Sequence, residues 1–148
     1  MSPEPPARAV FARIARAAIE QGVAEARTPA AHWGFKPNLA WVRWALPDGW
    51  YASIGLRRHL DWVTGELGLA REPVDLDALP LLAQARFDTD EVHARGGRVR
   101  LGLLLGDDDR WWPAGDTDAE LGETLGRLAL QLRVKAGRLL HAHVGPGA

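Results

Sequence analysis

Between Leu39 and Leu69 apolar and polar residues alternate with a period of two, the signature of strands with one buried face. Pro47-Asp48-Gly49 interrupts the alternation with turn chemistry: proline presets φ, aspartate suits the next position, and glycine accepts the left-handed conformation that closes the loop. A three-residue loop there pairs Leu46 with Trp50, Trp44 with Ala52 and Val42 with Ile54. Val42, Trp44, Leu46, Trp50, Ala52, Ile54 and Leu56 then share one face, and a slip of one residue would scatter them. At the next connection an odd loop would turn Thr64 and Glu66 onto the apolar face. An even loop, Arg58 to Asp61, sets Val63 beside Leu56, Leu67 beside Ala52 and Leu69 beside Trp50. The pattern predicts an antiparallel meander over roughly residues 39–46, 50–57 and 62–69.

Helical spacing frames the meander. From about Pro6, Phe11, Ile14, Ala18, Gly22 and Ala26 recur every three or four residues, with Val10 and Ile19 beside them, until Thr28-Pro29 ends the run. Near the other end, Thr117 and Glu120 form a capping box ahead of the stripe Leu121, Leu125, Leu128, Leu132, Ala136 and Leu139. Between these lie less regular stretches. Residues 27–38 read as a connector pinned by Trp33 and Phe35, and residues 71–80 as a loop. Residues 79–87 lean towards a short helix, with a strand as the alternative, and residues 88–97 form a polar segment ending in a glycine turn. Arg98 to Leu105 alternates as a strand with Val99, Leu101, Leu103 and Leu105 inward. Arg110-Trp111-Trp112 opens a short fifth strand that Pro113 stops. The predicted fold class is α+β: a two-layer domain over 1–148, with an antiparallel sheet of about five strands. Both terminal amphipathic helices pack on the face of Trp44, Ile54 and Leu103; residues 1–6 are a loose lead and 144–148 a loose tail.

Composition narrows the function classes. A chain of 148 residues without cysteine can hold neither a disulfide framework nor a thiolate metal site. Its net charge of −1 gives no general attraction to nucleic acid or anionic lipid. The N-terminus lacks a secretory pattern and no apolar run approaches the ~18 residues of a membrane span, so the expectation is a cytoplasmic protein without membrane association.

The catalytic motifs tested are weak. His141-x-His143 lacks a third ligand, and Asp107-Asp108-Asp109 lacks the glycine and distal glutamate of a calcium loop, so no metal and no cofactor is expected. No nucleophile motif, phosphate loop or dinucleotide fingerprint is present. Ser53, between Arg43 and Glu66 in this register, reads as part of a polar ladder. An enzyme would need a pocket gathered from distant residues such as His32, His59, His93, Asp88 and Glu91, and the reading leans away from catalysis.

The back of the predicted sheet is more informative. Trp41, Arg43, Tyr51, Arg57 and Trp62 fall on it, with Trp41 across from Gly55 and Arg57 across from Trp62. A ring covering a strand glycine and a guanidinium stacked on an indole account for these placements structurally. Aromatic and arginine side chains on one exposed face are also what interface hot spots are made of. These five are the candidate binding residues, with a protein partner or a second copy of the chain as the expected occupant. The same face resembles, in chemistry only, a stacking platform for single-stranded nucleic acid; the neutral net charge and Glu66 argue against that alternative.

Gly34-Phe35-Lys36, the Trp-bearing strands from Trp41 to Leu69, Trp111-Trp112 and the helix from Asp118 together resemble a group of uncharacterised small bacterial domains. The layout is also similar to cytoplasmic immunity proteins that neutralise toxins by binding. The resemblance implies binding rather than catalysis and supplies no catalytic residues.

Overall fold

A computed structural model describes residues 10–144, and side chains as far as residue 139. The expected loose lead and tail, and the His141/His143 pair, therefore lie outside the described residues or side chains. The architecture is α+β. Helix α1 (Val10–Gly22) and a 3₁₀ turn (Ala24–Arg27) precede strands β1 (His32–Lys36), β2 (Leu39–Ala45), β3 (Tyr51–His59) and β4 (Trp62–Ala70). A long connection carrying a 3₁₀ turn (Leu76–Ala78) and helix α2 (Asp90–Arg95) leads to β5 (Gly97–Arg100). A one-turn helix α3 (Leu101–Leu104), the two-residue strand β6 (Trp112–Pro113) and the long helix α4 (Asp118–Val144) complete it. The sheet is an antiparallel meander ordered β1-β2-β3-β4-β5, with β6 pairing β4 beyond the end of β5.

The first hairpin has the register its apolar set demands. Val42 lies opposite Ile54, Trp44 opposite Ala52, and Leu46 N–H donates to the Trp50 carbonyl at 2.7 Å. Gly49 closes the loop at φ +80°, where a side chain would be strained. The second connection is even, as the pattern required, but two residues shorter than expected: His59 pairs with Trp62 and Leu56 with Gly65. The strands run on through Arg58 and His59, and the turn is Leu60-Asp61, with Leu60 at φ +54°. A shift of two preserves every face assignment while changing every partner. Arg57 thus lies opposite Thr64 rather than Trp62.

Helices α1 and α4 pack on the front face, α1 against β2 and α4 against β3 and β4, and against each other. Phe11, Ala15, Ala18, Ile19, Leu121, Leu125, Leu128 and Leu132 interlock there with Val42, Ile54, Leu56 and Leu67. Leu132 sits over Gly65, where a Cβ would fall 2.3 Å from its nearest methyl. The capping box forms: Glu120 N–H donates to Thr117 Oγ1 at 3.1 Å, and Glu120 Oε2 accepts from Asp116 N–H at 2.9 Å.

Other expectations are corrected. Residues 32–36 form an edge strand rather than a connector, with Trp33 and Phe35 stacked at 5.8 Å beneath the Arg16 guanidinium. The strand expected over 98–105 stops at Arg100. Leu101–Leu104 carries no β-branched residue and turns helical, and Gly106 at φ +84° ends the turn. Residues 79–87 form no helix; Leu81 makes a parallel bridge to Arg98 along the outer edge of β5. Residues 90–95 are helical, capped by Thr89 Oγ1 accepting from Val92 N–H and stopped by Gly96.

Candidate interaction surface

The back face collects Trp41, Arg43, Tyr51, Arg57 and Trp62, because each pairs laterally with another back-facing residue: Trp41 with Gly55, Arg43 with Ser53, Tyr51 with Ala70, Arg57 with Thr64, and Trp62 with His59. The expected exposure of this face holds for only part of it. Residues 71–80 cross its centre as a strap and bury Leu76 and Leu79 against Leu39, Trp41 and Ala70, making a second, smaller core.

Trp41 is 4% exposed. Its indole covers the backbone of Gly34 on β1, where a Cβ would lie 2.2 Å from the ring. Gly55, the expected partner of that ring, is covered by Leu76 of the strap, whose methyl would be 2.4 Å from an added Cβ. Arg43 holds its guanidinium 5.5 Å from the Trp41 ring centre and 3.9 Å from Asp75, with Nη1 buried and without a hydrogen-bond acceptor. Tyr51 is half-buried.

Arg57 belongs to an ion-pair network centred on Glu66, whose side chain is fully buried. Arg57 Nε and Nη2 each donate to one oxygen of Glu66 at 3.0 Å, the two-pronged geometry that makes guanidinium–carboxylate pairs strong. Arg100 Nε donates to Glu66 Oε2 at 3.2 Å. Arg98 Nη1 lies 2.8 Å from the same oxygen, an ion pair by distance that is off the line of a hydrogen bond. Three guanidiniums around one carboxylate leave positive charge over, and outer acids take it up: Asp77 accepts from Arg57 Nη2 at 2.7 Å, and Asp109 from Arg100 Nη1 at 2.6 Å.

Burial acts to lower the Arg57 pKa, but its hydrogen bonds and charge contacts with Glu66 and Asp77 outweigh burial and raise it. Hydrogen bonds from Lys36 and Arg57 hold the Asp77 carboxyl down to about 2. Glu66 stands opposite Gly55 rather than beside Ser53, so the expected ladder through Ser53 is replaced by this arginine cluster.

The end of the back face at the β3–β4 turn lies beyond the strap. Trp62 is 49% exposed there and Leu60, at the tip of the turn, 75%. His59 is exposed on the same face, with Trp111 edge-on to it at 6.4 Å. Trp111 in turn lies 5.0 Å from the Arg100 guanidinium, so the aromatic end and the Glu66 network share Arg100. Leu60 and Trp111 were not among the predicted site residues. An aliphatic residue inside a tight turn is the signal that could have found Leu60.

Two of the dispersed residues that an enzyme would gather, His32 and His93, border different clefts. His32 borders a cleft of about 360 Å³ with Trp41, Lys36 and Asp77, and His93 lies 5.1 Å from Trp50 on a different cleft, of about 550 Å³. Asp88 pairs with Arg86, and Glu91 with Arg95. Among the described residues no group of three histidine, aspartate or glutamate side chains could hold a metal ion, and no helix is long and apolar enough to cross a membrane. The chain matches no protein-family model, no curated protein and no solved structure.

Proposed function

We propose that this domain binds another protein through the open end of its back face, with Trp62, Leu60 and Trp111 as anchors and His59 and Arg100 at the rim. The observation that carries the reading is Leu60. It holds a left-handed backbone at φ +54°, unfavourable for an L side chain by ~1–2 kcal/mol, and leaves an aliphatic side chain 75% exposed. The two-residue turn itself requires the positive φ, which glycine would meet without strain, but nothing in the isolated fold calls for an exposed aliphatic side chain there; an aliphatic tip beside a half-exposed indole is the composition of an interface centre. Of the five expected residues, Trp62 is the one available for direct contact. Arg57 is engaged by Glu66 and Asp77, Arg43 by Trp41 and Asp75, Tyr51 is half-buried and Trp41 is core. Single-stranded nucleic acid is a weaker fit, since the guanidiniums of Arg57, Arg98 and Arg100 face Glu66 rather than an open groove.

The test is a photo-crosslinking residue placed at Leu60 in the cells that make the protein, with the exposed Gln131 on α4 as the control position. Crosslinking from Leu60 to one discrete protein, or to a second copy, is expected, and Trp62→Ala should abolish it. Crosslinks no stronger than those from Gln131, together with a monomeric mass by light scattering at all concentrations, would reject the proposal.

A further inference from the structure

We infer that the strap over the centre of the back face, Asp75-Leu76-Asp77, is an internal occupant of a docking groove whose external ligand is an acidic peptide with a central aliphatic side chain. This groove adjoins the open Trp62 end, with Arg100 common to both, but its occupant and its test do not involve Trp62 or Leu60.

Length is the first indication. Strands β4 and β5 are antiparallel neighbours, which a two-residue turn can join, yet the chain uses residues 71–96 to connect them. Most connections in compact domains take about 4–6 residues; this one carries a 3₁₀ turn and helix α2 as well as the strap.

The manner of attachment is the second. Among the described residues, the backbone–backbone hydrogen bonds of 71–79 stay inside the strap, Val74 N–H to Glu72, Ala78 N–H to Asp75 and Leu79 N–H to Leu76, and the strap backbone meets the sheet where the Leu79 carbonyl accepts from the Arg98 side chain at 3.0 Å. The sheet holds the strap through side chains, and backbone pairing resumes only at Pro80, whose carbonyl accepts from Arg98 N–H. A segment bound in this way can leave without breaking the ladder beneath it.

The shape and charge of the covered surface identify the ligand. Gly55 and Gly68 floor a hollow filled by the methyls of Leu76; a Cβ on either glycine would lie 2.4 or 2.8 Å from them. Around the hollow stand Lys36, Arg43, Arg57, Arg98 and Arg100, with Asp77 on Lys36 and Arg57 and Asp75 nearest Arg43. Without the strap, five cations would face Glu66 and Asp109 alone. Nucleic acid could answer the charge but has no aliphatic branch for the glycine-floored hollow. A peptide with an acid on each side of a leucine answers both.

The chain contains no cysteine, so one introduced thiol reports its own site. Leu76→Cys, or Leu79→Cys if the first variant does not fold, places it under the strap; Ile54→Cys places it in the main core. In native buffer the strap thiol is expected to react with a thiol reagent at least ten times faster than the core thiol. A synthetic peptide of the Arg71–Pro80 sequence should accelerate the strap thiol saturably, by holding the groove open, and leave the core thiol unchanged. The same peptide with its central leucine replaced by aspartate should do nothing. Equal labelling of strap and core thiols would mean that the strap opens only on global unfolding, and would overturn the inference. No response to the peptide would also overturn it, as would equal acceleration by oligothymidylate, which would reassign the groove to nucleic acid. Repeating the series with Trp62→Ala should change none of these rates, so this result and that of the Leu60 crosslink stand or fall separately.

Discussion

Replacing Glu66 by glutamine tests the electrostatic organisation of the back face most directly. The side chain is fully buried, while those of Arg57, Arg98 and Arg100 retain 20%, 13% and 18% exposure. Glutamine keeps the shape and one acceptor, but removes the charge and turns an NH₂ donor towards guanidinium donors. Removing one partner of a buried ion pair costs ~3–5 kcal/mol, because the charge left behind has lost both partner and water. Here the stranded arginines recover some hydration, and Asp77 and Asp109 still neutralise two of them, so the lower end of that range, about 3 kcal/mol, is expected. That is a large share of the ~5–15 kcal/mol that holds a domain folded. With a urea slope near ~2 kcal/mol/M, the unfolding midpoint, followed by tryptophan fluorescence, should fall by roughly 1.5 M. In an Arg57→Ala background the same substitution should cost at least ~1 kcal/mol less, since the two residues act as one unit. A midpoint shift below about 0.5 M, or full additivity with Arg57→Ala, would mean that the carboxylate does not organise the three arginines and that the account of this face is wrong.

Three further outcomes follow from single positions. Leu60→Gly relieves the positive φ at the β3–β4 turn; after the extra flexibility glycine gives the unfolded chain, urea denaturation should show a gain of about 0.5–1 kcal/mol, and a loss would contradict the strain reading. Asp77 has its pKa depressed from 3.8 to about 2, so its stabilisation is full above the unfolded value and is lost as pH falls towards the folded one. Asp77→Asn should therefore be about 1–2 kcal/mol less stable at pH 7, after discounting for the exposure of Lys36, and the gap should close by about pH 2; a gap independent of pH would exclude this linkage. Gly102→Ala would bring a Cβ to 2.4 Å from the Asp108 carbonyl oxygen and 2.6 Å from Arg110 N, backbone atoms that cannot step aside. It should cost about 2–3 kcal/mol and lower the thermal midpoint by several degrees; an unchanged midpoint would refute this crowding.

The candidate surface was legible in the sequence only in part. The five predicted residues share one face because alternation fixes direction, but Trp62 alone among them combines large exposure with an aromatic ring. Trp41 was expected to cover Gly55; it covers Gly34 instead, because residues 32–36 add a strand on its other side and Leu76 occupies the site over Gly55. The N-cap and stop of α2, Thr89 and Gly96, were readable signals, whereas the ending of β5 at Arg100 depended on an alternating run that is equally compatible with a leucine-rich helical turn.

By itself the sequence determined parity. The Pro-Asp-Gly turn and the two-residue repeat sent Trp44, Ile54 and Leu67 forward under α1 and α4, and Trp41, Arg57 and Glu66 backward, and a two-residue change in loop length left that division intact. Only the tertiary structure decided what covers the back. The strap at 71–80 has no repeat to betray where it lies, and Glu66 meets arginines as distant in sequence as Arg57 and Arg100. Periodicity is a property of neighbours along the chain. Coverage and ion pairing are settled among residues that meet only once the sheet has formed, where the favourable contacts depend on distances the sequence does not encode locally.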